Sequence, residues 1–219
     1  MYPILLIVMK NINILANKEK FIGLLRSTGR DGIEDLVADL EKMGFFFAPA
    51  SAGHHLNVEG GLVQHSLCTC DAALGVWEVM KTLDPSVGIE VERESVIIAS
   101  LLHDVCKSDI YVRSTRKRKN AIGIWESCEG YKTSYKNFPL GHGEKSLVLV
   151  LCSGLELTDA EMLAIRWHMG PWGLNFNSIE EQKNYDASKV LYPLVTIIQV
   201  ADSLAAGILE RNFSNVDEL

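Results

Sequence analysis

The stretch "SLLHDVCKSD", residues 100–109, sets His103 and Asp104 side by side at the end of an apolar run from Val96 to Leu102. A helix that otherwise reads as core ends in two adjacent polar side chains. A buried, unpaired carboxylate costs several kcal/mol, so something must face this doublet and satisfy it.

Working outward, the same anomaly recurs on other predicted helices. His65 shares a helical face with Leu62, Thr69 and Ala72, which turns it inward. Asp202 is flanked at helical spacing by Val195, Ile198, Gln199, Ala205, Ala206 and Leu209, with no Lys or Arg among them. His168 follows Ala164 and Ile165 on an inward face, and His142 opens another helix. Taken singly, a histidine on an apolar face is an ordinary core residue bonded to a carbonyl, and an interior Asp is a cap or half of an ion pair. Five such sites on five helices read better together. One or two divalent metals would satisfy them all, and imidazole with carboxylate suits borderline metals.

In this order, H…HD…D on helices, the chain resembles the HD-domain superfamily of metal-dependent phosphohydrolases over about residues 54 to 205. The residues that carry the resemblance are His65 in "GGLVQHSL", His103-Asp104 in "LLHDVCK" and Asp202 in "IQVADSL". His142 in "GHGEKS" and His168 in "IRWHMG" resemble the two extra histidines of the binuclear branches. The resemblance implies six ligands for two divalent ions (Mn, Fe, Co, Ni, Zn or Mg, with Fe or Mn favoured), Asp104 bridging, and a metal-bridging hydroxide as nucleophile. It also implies an all-α HD-domain bundle. The alternative within the fold is a di-iron oxygenase resembling myo-inositol oxygenase, which uses the same ligand order.

Lys107 lies at i+4 from His103 and i+3 from Asp104, on the same face. It is either a simple surface pair with Asp104 or a catalytic and substrate-binding cation beside open coordination sites; the HDxxK lysine of related family members supports the second. His54-His55 ahead of Gly60-Gly61 resembles the HD region of one exoribonuclease family, and His55 is a candidate substrate contact. No OB region accompanies it, so nuclease activity is not carried over.

The 219 residues suit one medium domain, and 47 % hydrophobic with 22 % charged residues is ordinary for a soluble protein. A net charge of −7 argues against a generic polyanion binder. Five cysteines without a CxxC pair read as reduced thiols of a cytoplasmic protein. Residues 3–9 are apolar but too few to span a bilayer, and neither a basic n-region nor a cleavage site flanks them. Met9 offers an alternative start. The expected organisation is an extension over 1–16, one HD domain over 17–212 and a tail over 213–219.

Helices are expected over 18–27, 32–43, 61–82, 90–106, 143–153 and 158–168, with one long helix over 187–211. Leu147–Leu151 alone could also form a strand. The exception is 107–140, whose β-branched, aromatic and turn residues predict a small β-hairpin-like insertion. It holds five Lys/Arg within 113–119. That run is either a solvated face or a positive tongue, with Arg116 and Lys117 collecting a small phosphorylated substrate such as a nucleotide. Trp125, Tyr131, Trp172 and Phe176 either stack a base or pack their loops, and Trp172 is the candidate substrate contact among them. No membrane partner and no strong nucleic-acid signal are expected.

Overall fold

The structure is a computed structural model in which residues 11–120 and 122–212 are described, without the side chains of Arg118 and Asn212. Most of the expected extension and the whole of the expected tail lie outside the described residues. The elements run α1 (Ile14–Ser27), α2 (Ile33–Lys42), α3 (Gly61–Leu83), α4 (Val87–Glu90), α5 (Arg93–Leu102) and α6 (Lys107–Ile110). A hairpin of β1 (Tyr111–Lys119) and β2 (Trp125–Thr133) follows, then α7 (His142–Cys152), α8 (Asp159–Trp167), α9 (Ile179–Leu191) and α10 (Pro193–Leu204). This is the expected all-α bundle with one small two-stranded sheet.

Helix α3 is the central post, packed against α1, α5 and α10, and α8 closes the bundle against α5, α7 and α10. Leu62 and Leu67 of α3, Ile97, Ile98 and Leu101 of α5, Ile165 of α8 and Ile198 of α10 all lie in one buried core. Each such side chain contributes about 1.5–3 kcal/mol when fully buried. Two glycines allow approaches that no side chain would. A Cβ on Gly61 would lie 2.0 Å from the carbonyl oxygen of Leu56, so the loop over 48–60 folds tightly onto the start of α3. A Cβ on Gly143 would meet the Arg166 carbonyl oxygen at 2.1 Å, which lets the start of α7 touch the end of α8. That second contact brings His142 beside His168, with ring centres 5.3 Å apart.

Several boundaries differ from the sequence expectation. Helix α1 begins at Ile14, capped by the Asn13 side chain, inside the stretch assigned to the extension. The helix expected over 90–106 stops at Leu102, with His103 as its C-cap, and resumes as the single turn α6. The long helix expected over 187–211 is a correction. Pro193 has no N–H to donate, and Tyr192 before it is extended (φ −134°, ψ 96°), so the chain turns 102° between α9 and α10. Beyond Leu204 it widens into a π turn over Ala205–Leu209 and a last tight turn over Glu210–Asn212. Leu147–Leu151 is helical. The hairpin pairs in antiparallel register from Tyr111–Thr133 at its root to Lys119–Trp125 near its tip. Among the described residues no single helix is long and apolar enough to cross a membrane.

A buried polar knot ties the amino-terminal helices to the bundle. Glu161, fully buried, accepts from Arg30 Nη1 and Nη2 at 3.0 and 2.8 Å and from Ser95 Oγ at 2.7 Å. It also closes the capping box of α8 by accepting from the Thr158 backbone N–H at 2.8 Å. Replacing Glu161 by Ala removes the acceptor of all three donors, and the expected cost is about 3 kcal/mol in urea unfolding. The metal content of the folded variant should stay at the wild-type level, because the knot shares no group with the histidines.

Candidate metal centre

Five elements deliver the six sequence-selected groups to one place. His65 comes from the second turn of α3, His142 from the first residue of α7 and Asp202 from near the end of α10. His103 and His168 use a shared device: each is the C-cap of its helix, where the last carbonyls have lost their helical N–H partners. The Nδ1 of His103 meets the Ser100 carbonyl at 2.8 Å, and that of His168 meets the Ile165 carbonyl at 2.7 Å. Each bond spans three residues and aims the other ring nitrogen into the bundle.

Asp104 is the hub. Its Oδ2 lies 3.1 Å from His65 Nε2, 3.2 Å from His103 Nε2 and 2.5 Å from Lys107 Nζ. Its Oδ1 lies 2.5 Å from His142 Nε2 and 3.4 Å from His168 Nε2. Asp202 Oδ1 is 3.2 Å from His65 Nε2 and 3.8 Å from His103 Nε2. His65, His103, Asp104 and His168 are buried, whereas the His142 and Asp202 side chains keep 25 % and 20 % exposure and mark the open side.

Burial opposes ionisation of Asp104, yet the Lys107 ammonium and the surrounding imidazoles hold its carboxyl well below the usual range. Burial likewise opposes ionisation of Asp202, and the His65 bond with the imidazole charges holds it low. Burial would strip the proton from Lys107, but Asp104 and Asp202 keep it charged and push its pKa up. Lys107 is 8 % exposed, so the Asp104 pair is buried and the surface-pair reading is set aside.

The donor set fits a cation. The Nδ1 atoms of His65, His103 and His168 all face acceptors: Glu210 Oε1 at 2.6 Å and the two carbonyls. In the neutral form that binds a metal, each ring spends its one N–H there, which leaves a lone pair on its Nε2 atom. The Nε2 atoms of His65 and His103 nevertheless lie 3.2 Å apart, and among the described residues His168 Nε2 has no hydrogen-bond partner. Lone pairs and carboxylate oxygens converging in this way repel unless a proton or a cation lies among them. His65, His103 and Asp104, His103, His168 and Asp202, and Asp104, His142 and His168 form overlapping triads with ligand atoms within 4.8 Å of one another. Asp104 belongs to two of them.

The HD domain, as a family profile, matches residues 70–207. The chain belongs to the HD domain family. HD domains bind divalent metals, and these triads are the candidate donors here. The dihydroneopterin 2',3'-cyclic phosphate phosphodiesterase of Methanocaldococcus jannaschii is 38 % identical over 82 residues, which is 37 % of this chain and 30 % of that relative. The chain thus aligns with less than a third of the relative's length. No solved structure matches the chain.

The remaining candidates sit around the mouth. His55 Nε2 is 3.7 Å from Glu210 Oε2, and its ring centre is 5.3 Å from that of His65. Arg116 is held across the hairpin by the Tyr131 carbonyl and lies against Gly53 in the His55 loop. Arg113 pairs with Glu59 of the same loop at 3.0 Å. Lys117 is exposed, and Trp172 stands 87 % exposed in the turn after His168; neither is brought against the six groups by any hydrogen bond or ion pair. A cavity of about 340 Å³ lined by Val91, Glu92, Ser95, Tyr192 and Leu194 lies at the other end of α5 and holds none of these groups. Sequence reasoning missed Glu210, fully buried, because helical spacing from Asp202 had chosen Leu209 instead.

Cys106 sits under His142, with Sγ 3.4 Å from Nδ1. Burial, with the Asp104 charge adding to it, pushes the thiol up to about 12. At pH 8 it is therefore almost wholly protonated and unreactive. Brief iodoacetamide treatment of the folded protein at pH 8 should label exposed Cys152 and leave Cys106 untouched in peptide mass spectra. Labelling of Cys106 at a comparable rate would contradict this environment.

Proposed function

We propose that this protein is a metal-dependent phosphohydrolase, with two divalent ions, Fe or Mn, held by His65, His103, Asp104, His142, His168 and Asp202. The observation that carries the reading is Asp104, whose two oxygens face separate groups of imidazoles while a charged lysine sits 2.5 Å from one of them. When bound, a pair of divalent metals supplies Lewis-acid charge and a readily deprotonated water for displacement at phosphorus.

The chain's own residues do the rest. Asp104 joins the two halves of the donor set and orients Lys107. The Lys107 ammonium, fixed by that carboxylate, contacts a phosphoryl oxygen and stabilises charge that grows there in the transition state. Burial of the inner ligands excludes bulk water, and the exposed edges of His142 and Asp202 give the side from which substrate enters. The hairpin root follows Lys107 by four residues, so its cationic strand stands at that entrance. There Arg116 and Lys117 raise the local concentration of anions. The substrate is a small phosphate ester, nucleotide-like, and the phosphodiesterase name of the relative supports the diester class. The same relative supports hydrolysis over the oxygenase alternative. A cytoplasmic, single-domain protein over 17–212 is part of this proposal.

The test is a panel of 2',3'-cyclic nucleotides, bis-p-nitrophenyl phosphate and p-nitrophenyl phosphate, each with Mn²⁺, Fe²⁺, Co²⁺ and Mg²⁺. Diester turnover with Mn²⁺ or Fe²⁺ is expected. Lys107→Ala should lower kcat/KM by about 10²-fold with bound metal unchanged, the scale for losing one preorganised charge. Neutralising Arg116 and Lys117 together should chiefly raise KM and flatten its salt dependence. Substrate-dependent oxygen uptake with no ester turnover would overturn the hydrolase reading.

A further inference from the structure

The fully buried carboxyl of Glu210 accepts from His65 Nδ1 at 2.6 Å, across 145 positions of sequence. It arrives there through an irregularity. Asp202 and Glu210 are eight residues apart, and on a regular α-helix they would point about 80° apart. The π turn over Ala205–Leu209 inserts roughly one extra residue, so Glu210 takes the direction that the seventh residue would have had, about 20° from Asp202. Leu209, which regular spacing would turn inward, is instead 40 % exposed. The final turns therefore aim two carboxylates at one imidazole: Asp202 towards Nε2 and Glu210 towards Nδ1.

We infer that Glu210 is the positioning residue for His65: it holds the Nδ1–H, fixes the ring plane and leaves the Nε2 lone pair aimed at the Asp104–Asp202 side. The inference rests on the metal-centre reading above. His103 and His168 are aimed by carbonyls of their own helices, three residues back. His65 lies in the interior of α3, where the helix already uses those carbonyls, so its acceptor must come from elsewhere in the fold. Glu210 supplies it. A carboxylate on the far nitrogen also makes the ring a better donor to a metal, and loss of such a partner costs 10–100-fold in metal affinity in general. The other carboxyl oxygen lies 3.7 Å from His55 Nε2, so the same group spans the His65 ring and the loop to which the hairpin is pinned.

The test is Mn²⁺ titration of the chelator-stripped full-length protein by calorimetry, for wild type, Glu210→Ala and Glu210→Gln, with metal-free thermal unfolding alongside. Glu210→Ala should weaken Mn²⁺ binding about 10–100-fold. Glu210→Gln should recover most of that loss, because the amide oxygen accepts the same bond. Equal affinity in the Ala variant and wild type would overturn the inference, leaving Glu210 a packing residue whatever the unfolding shift. A Gln variant as weak as Ala would also overturn it, making the group a ligand or a needed charge. Wild type that takes up no divalent metal would overturn the metal-centre reading itself and this inference with it. If Glu210→Ala fails to fold, the His65 Nδ1–H resonance in ¹⁵N-histidine spectra decides. A protected proton in wild type and the Gln variant supports the assignment, and its absence from both refutes it.

Discussion

Two carboxylates and the inward-facing nitrogens of several imidazoles are driven together at the middle of this bundle, and the rest of the structure accommodates that crowding. Asp104 and Asp202 stay ionised despite burial because Lys107 and the histidine rings surround them. In their neutral form three of the rings spend their one N–H on acceptors behind them, and only an added proton or a cation then meets the carboxylates in front. Lys107 answers part of the negative charge, on one oxygen of Asp104. The remainder calls for cations, and the apolar packing of α3, α5, α8 and α10 supplies the energy that holds unbalanced groups in place before they arrive.

The helix ends are where this work is done. α5 and α8 stop one residue short of a histidine, and the freed carbonyls aim the ring. Gly143 lets α7 press against the end of α8, and Gly61 lets the His55 loop close over the start of α3. The hairpin grows out of α6, its first residue Tyr111 four positions after Lys107. Arg113 and Arg116 tie that hairpin back to the loop over 48–60.

Much of the centre was legible in the sequence because burial and polarity conflicted there. Asp202 in an apolar stripe and the His103-Asp104 doublet after an apolar run were visible at helical spacing alone, as was the capping box at Thr158 and Glu161. The HD family match covers residues 70–207 and omits His65, so that histidine stands on its inward face and on its place beside Asp104 in the structure. What periodicity could not show was where the period changes. Pro193 ends α9 and starts α10, yet its neighbours remain apolar enough to read as one helix. The π turn shifts the frame by one residue, which hid Glu210 behind Leu209. Lys107 shares a helical face with Asp104 as its spacing indicates, but its burial at 8 % exposure depends on how the helices assemble, which is tertiary information.

The most direct measurement is elemental analysis of the protein purified without chelators, wild type beside Asp104→Ala, with circular dichroism to establish that both are folded. If Asp104 joins two metal positions, wild type should carry about two divalent ions per chain, chiefly Fe or Mn, and the variant close to none. A folded Asp104→Ala protein that keeps the wild-type metal complement, or a wild type that carries no divalent metal and takes none up, would contradict the account.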